Sequence, residues 1–197
     1  MIKNYALFIV ALTILFSLNV WGAVSPLGIC IVPPVQFPPE DFDIAGARIS
    51  VIYGEHRNVY GLDIGVIGNV IEQKFIGLEV AGIFNLHQGP TTILGLQAAA
   101  MNFNNGPTTI VGLQVGLINS NTASSTLAGL EVGLLNLSPN LDTYGFQIGI
   151  YNKALNVHGF QIGVVNQAAT LHGLQIGLLN IHEKGMVRIS PILNFGF

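Results

Sequence analysis

The chain has 197 residues, half of them hydrophobic, a net charge of -3 and a charged fraction of only 9%, against roughly a quarter in ordinary soluble domains. That length suits one domain. The charge deficit points to a membrane protein or an exported fibrous one, and the absence of a basic balance excludes nucleic acid as an expected partner.

Residues 1–23 read as an export signal. Lys3 supplies the positive end, Ala6 to Val20 form a largely apolar stretch, and Gly22 or Ala23 offers a small residue for cleavage. The alternative, an uncleaved anchor, would need a longer apolar run to span a bilayer as a helix. Residues 24–43 form a proline-rich leader with Pro26, Pro33, Pro34, Pro38 and Pro39; each lacks a ladder donor, which keeps such a segment out of a central strand. Cys30 stands alone, so no internal disulfide can form.

From residue 44 to residue 197 the chain is built on one returning phrase. Its clearest copy is Gly173-Leu174-Gln175-Ile176-Gly177-Leu178-Leu179-Asn180, and earlier copies begin at Gly159, Gly145, Gly129, Gly112, Gly95, Gly77 and Gly61. Each phrase alternates with period two, which is the pattern of a strand. One face carries apolar triplets such as Leu174-Ile176-Leu178 and Phe146-Ile148-Ile150; between the glycines the other face always carries a polar residue. Those polar residues are Asp63, Glu79, Gln97, Gln114, Glu131, Gln147, Gln161 and Gln175.

Read as one strand per copy, the spacing predicts about ten strands, the first starting near Ile44 and the last ending at Phe197. This is an all-β, antiparallel up-and-down barrel whose apolar triplets face lipid and whose Gly/Gln face lines the interior. Closing it would bring Arg48 and Arg188 into neighbouring strands, and the expected lumenal cluster is Arg48, Asp63, Glu79, Gln97, Gln114, Glu131, Gln147, Gln161, Gln175 and Arg188. Such a cluster serves either as a plug of paired charges or as a polar constriction for small solutes. Consecutive near-identical loops, Gly89–Ile93 and Gly106–Ile110, favour a different architecture, a parallel β-solenoid of 14–18-residue coils in which they would stack side by side. His158 and His172, at equivalent places in adjacent repeats, would then lie close enough to share a metal. His56, His87 and His182 fall in expected turns and read as solvated.

Three resemblances bear on location. The end of the chain, with Phe195 and Phe197, resembles the terminal strand of bacterial outer-membrane barrels, which implies that these two aromatics are an assembly signal read by the barrel-assembly machinery. The iterated phrase with its Asn194-Phe195-Gly196-Phe197 tail resembles a bacterial cell-surface repeat family, which implies a surface or outer-membrane location and outer-membrane lipid as a partner. Gln147-x-Gly149-x-x-Asn152-x-Ala154 and Gln161-x-Gly163-x-x-Asn166-x-Ala168 are similar to curli-type amyloid repeats, which implies Gln and Asn ladders between stacked units and self-association. Nucleophile elbow, metal-ligand spacing and phosphate loop are all missing, so neither enzyme activity nor a cofactor or metal is expected.

Overall fold

The computed structural model describes residues 23–197, so the expected export signal lies, apart from Ala23, outside the described residues. The chain forms fourteen strands in one sheet system: β1 (Val24–Val32), β2 (Val35–Phe37), β3 (Asp43–Ser50), β4 (Tyr53–Gly65), β5 (Gly68–Ala81), β6 (Phe84–His87), β7 (Thr91–Ala98), β8 (Met101–Asn104), β9 (Thr108–Val115), β10 (Ile118–Asn121), β11 (Ser125–Val132), β12 (Leu135–Leu137), β13 (Leu141–His182) and β14 (Ile189–Gly196). Their pairing is parallel and almost entirely in register. Gly95, Gly112, Gly129 and Gly145 are direct partners through β7, β9, β11 and β13, while Asn85, Asn102, Asn119, Asn136 and Asn152 align through β6, β8, β10, β12 and β13.

This is a β-solenoid. The antiparallel ten-stranded barrel is overturned by the parallel ladders, and the 14–18-residue coil takes its place. One phrase holds two arms, not one strand. In the coil that begins at Ser125, β11 is a long arm, Gly133-Leu134 make a corner, β12 is a short arm and Ser138–Asn140 turn the chain back. In the 14-residue repeats the backbone stays extended through the corners, so β13 runs for 42 residues across several coils.

The phrase can now be decoded. Gly129 has φ of +145°, and a Cβ there would sit 2.0 Å from the carbonyl oxygen of Gly112 in the preceding coil. Only glycine lets the backbones stack at this point. The second glycine does a different job: a Cβ on Gly133 would meet the side-chain amides of Asn136 and Asn119 at 2.6 and 2.8 Å. It vacates the space that the inward asparagines fill. A thin apolar column, Ile93, Ile110, Leu127 and Leu141, fills the far end of the interior beside the return turns.

Both ends are closed by antiparallel strands. β1 pairs parallel with β3 and carries β2 antiparallel on its outer side; Pro26 falls where the β1–β3 register shifts, which spares a ladder bond. At the other end β14 runs antiparallel against the last coil, with Phe195 opposite Leu174 and Asn194 opposite Gln175. Pro191 sits in a register shift between Gly177 and Asn180. The strand expected to close a barrel is thus the cap of a solenoid.

The two glycine environments separate in a mutational test. Gly95→Ala meets only the Leu78 side chain, at 3.3 Å, and is expected to cost about 1–3 kcal/mol from backbone strain. Gly129→Ala must also push two coils apart and is expected to cost clearly more, or to yield no folded protein. Urea denaturation of the two variants measures this, and equal losses would contradict the stacking account.

Candidate functional site: a buried polar ladder inside an apolar surface

Arg48, Asp63, Glu79, Gln97, Gln114, Glu131, Gln147, Gln161 and Gln175 all point inward from the long arms and are completely buried. They form a column whose hydrogen bonds have a direction. Gln175 Nε2 donates to Gln161 Oε1 (2.8 Å), Gln161 to Gln147 (2.7 Å), and Gln147 to Glu131 Oε2 (2.6 Å). A second run starts at Gln114, which donates to Gln97 (2.8 Å), and Gln97 donates to Glu79 Oε2 (3.0 Å). Every amide gives its proton to the preceding coil, and each run ends on a carboxyl group, which has no N–H to pass on. Gln175 Oε1, at the start, receives no donor.

The short arms add a parallel column of asparagines. From Asn85 to Asn166 each Nδ2 donates to the Oδ1 of the next coil at 2.7–2.9 Å, the column ending on Asn180. The same NH2 group also reaches a long-arm backbone carbonyl of that next coil, such as Val132 O from Asn119 (2.9 Å) and Ile162 O from Asn152 (3.0 Å). One amide therefore ties side chain to side chain and arm to arm.

At the N-terminal end charges replace amides. Arg48 grips Asp63 with two bonds, 2.9 and 2.6 Å, and reaches Val70 O at 3.1 Å. Both partners are buried, so neither could be removed without stranding the other's charge. Next to this pair lies His56, in contact with Arg48 Nη1 at 3.3 Å and with Pro38 O at 3.2 Å. His87 bridges Glu79 Oε2 (2.8 Å) and Thr91 Oγ1 (2.9 Å). His56 and His87, expected in solvated turns, are core residues, and His182 is nearly buried. The signal was available: each stands two residues after the inward short-arm position, where Asn104, Asn121 and Ser138 stand in other coils.

Arg188 does not join this column. It is exposed at the C-terminal cap, at the other end of the molecule from Arg48, because the two would be neighbours only in a closed barrel. Nor is the interior a lumen: its side chains are bonded across successive coils. Phe195 lies in the cap strand and Phe197 just after it, both exposed and edge-to-face at 5.6 Å.

His158 and His172 stack with ring centroids 4.7 Å apart and planes 11° from parallel, and Tyr144 extends the stack at 4.9 Å. Ring-nitrogen lone pairs lie in the ring plane, so parallel rings aim side by side and do not converge on one ion. Among the described residues no three metal-ligating side chains cluster.

Outside, polarity is inverted. Long-arm rows such as Leu113-Leu130-Phe146-Phe160 and Val115-Val132-Ile148-Ile162 face outward, and Phe146 stacks on Phe160 at 5.0 Å. The corners add Leu117, Leu134, Ile150, Val164 and Leu178, and most of these outer side chains are one-third to three-quarters exposed. Comparison with protein-family models, with curated proteins and with solved structures finds no match for this chain.

Burial raises the Glu131 carboxyl to about 7 and lowers the His56 imidazole to about 4. For Glu131 the unfolded chain releases its proton near pH 4.5 while the native chain keeps it, so native stability falls as pH rises from there to about 7, by roughly 3 kcal/mol in all. For His56 the unfolded chain takes a proton near pH 6.5 that the native chain refuses, so stability falls as pH drops from 6.5 toward 4. The two slopes oppose. Glu131→Gln supplies the missing donor toward Gln114 and removes one slope. Denaturation midpoints should show the variant more stable than the parent at pH 8, equal to it at pH 4, and steeper in its rise between. Midpoints that track each other at every pH would contradict this reading.

Proposed function

We propose that this chain is an exported structural protein that works by adhesion through its apolar outer surface. The carrying observation is the inversion itself: the amides that could solvate the protein are sealed inside, while rows of leucine, isoleucine, valine and phenylalanine are left outside. An apolar area repeated on every coil exceeds the few hundred Å² that a monomeric soluble protein leaves uncovered. Export is supported by the pattern at Lys3 to Ala23, and the resemblance to a cell-surface repeat family points to the same compartment.

The mode of adhesion follows from the ends. A bare solenoid end presents unpaired backbone groups and would add further copies along its axis. Here β2 and β14 run antiparallel to the coils, and prolines stand beside both caps, at residues 33, 34, 38, 39 and 191. These features disfavour axial stacking. Contact in this reading is lateral, through the side-chain rows, and needs no chemical transformation.

Sedimentation velocity in aqueous buffer, with and without a non-ionic detergent above its micelle threshold, tests this. Concentration-dependent association that detergent reduces to a single copy is expected. A monodisperse monomer at all concentrations in plain buffer would overturn the proposal.

A further inference from the structure

The outer rows are not distributed evenly around the coil. One edge, formed by the return turns, gathers charge: the exposed Glu72, Lys74, Glu183 and Lys184 and the half-buried Asp142 and Lys153 lie on it or next to it. Beside it runs an outward row of Thr92, Thr109, Thr126 and Asp142, aligned by direct pairing. The next outward row, Leu94-Val111-Ala128-Tyr144, continues into His158 and His172 and is mixed; from there to the corner and around onto the start of the short arm, the outward rows are apolar. The coil is a wedge with one polar edge, and its apolar surface runs along the long arm, over the corner and onto the first position of the short arm, beyond which Ser120, Lys153 and Gln167 lead back to the edge. A flat partner, such as a second copy, covers the long-arm face alone. A fluid apolar phase also covers the protruding corner and the start of the short arm.

Resting on the adhesive reading above, we propose that the surface this protein adheres to is a lipid bilayer, in which the solenoid lies in one leaflet. Its axis is parallel to the membrane plane, its polar edge is at the headgroups and its corner row points to the midplane. The dimensions agree. From Leu130 to the corner residue Leu134 is four residues, about 13 Å of extended backbone, against about 15 Å for half of a hydrocarbon core of some 30 Å. At that depth the stack of Tyr144, His158 and His172 stands at the water boundary, where amphipathic rings are favoured. Lys153, on the short arm nearest the edge, can extend its ammonium back to water.

Backbone chemistry permits the arrangement. Hydrocarbon offers no partner for an unpaired amide, and in this fold the N–H and C=O groups of each arm bond to the coils above and below. Among the described residues the outer edges of the two cap regions are left unpaired by the coils, and Pro191 removes one donor from the C-terminal one. The charges collected at the edge are three acidic and three basic, so attachment is driven by apolar burial and not by lipid charge.

Flotation with phosphatidylcholine vesicles tests the proposal, using the full chain with Cys30→Ala and one new cysteine, Leu134→Cys at the corner or Thr126→Cys at the edge, carrying a fluorescent label. Most of the protein should float. Lipids brominated deep in the acyl chain should quench the corner label several-fold more than the edge label, and flotation should persist in high salt. The pair Leu117→Lys and Leu134→Lys lies on the exposed surface and leaves the core untouched; its circular dichroism should be unchanged and its vesicle binding about tenfold weaker or worse. Protein that self-associates in buffer without floating would overturn the lipid seat and leave the adhesive reading standing. Protein that floats with the edge label quenched as deeply as the corner label would overturn the orientation. A monomer that neither associates nor floats would overturn both.

Discussion

Everything in this molecule depends on a side-chain amide being matched by its counterpart one coil away. A buried amide without partners costs several kcal/mol, and this interior holds two columns of them. They are satisfied only if successive coils stand at strand spacing, parallel and in register. That requirement explains why Gly112, Gly129 and Gly145 stack backbone on backbone and why the asparagines reach carbonyls of the neighbouring long arm. A shift of one residue would turn every amide outward and every leucine inward. The polar core therefore specifies the register more strictly than an oily core would.

The same constraint explains where charge is tolerated. Glu131 and Glu79 occupy positions where a donor run must end, and Arg48 with Asp63 closes the column near the N-terminal cap. A carboxyl group is suited to the end of a run because its oxygen accepts the amide proton and it has no N–H to pass on. With the polar groups used inside, the outer surface has to find its own partner, and the wedge shape of the coil decides what kind of partner can cover it.

Much of this was legible in the residues. The period, the strand-like alternation and the inward position of Gln97, Gln114 and Gln147 follow from the phrase itself. The polarity of the two faces does too, since Gly and Gln pack at close quarters while Leu and Ile do not need to. The path of the chain was harder to read. Taking Gly145 to Asn152 as one straight strand gave the length of a membrane-spanning strand, whereas Gly149 is a corner with a short arm after it. The distinction lies in Asn152: its side chain points inward although it stands five residues after Gln147, an odd separation that no straight strand permits. The duplicated Gly-Pro-Thr-Thr loops carried the same message. Arg188 shares a parity with the inward residues only in a barrel wall, and His56 and His87 lie inside β4 and β6, which run past the residues where the apolar alternation stops.

Hydrogen exchange of the side-chain amides, followed by NMR, addresses the central claim directly. If the ladders hold the fold, the Nδ2 protons of Asn119 and Asn152 and the Nε2 protons of Gln161 exchange only on global unfolding, as slowly as the backbone amide of Gly129. If those side-chain protons exchange at the rate of a free amide while the backbone stays protected, the coils are held by something else.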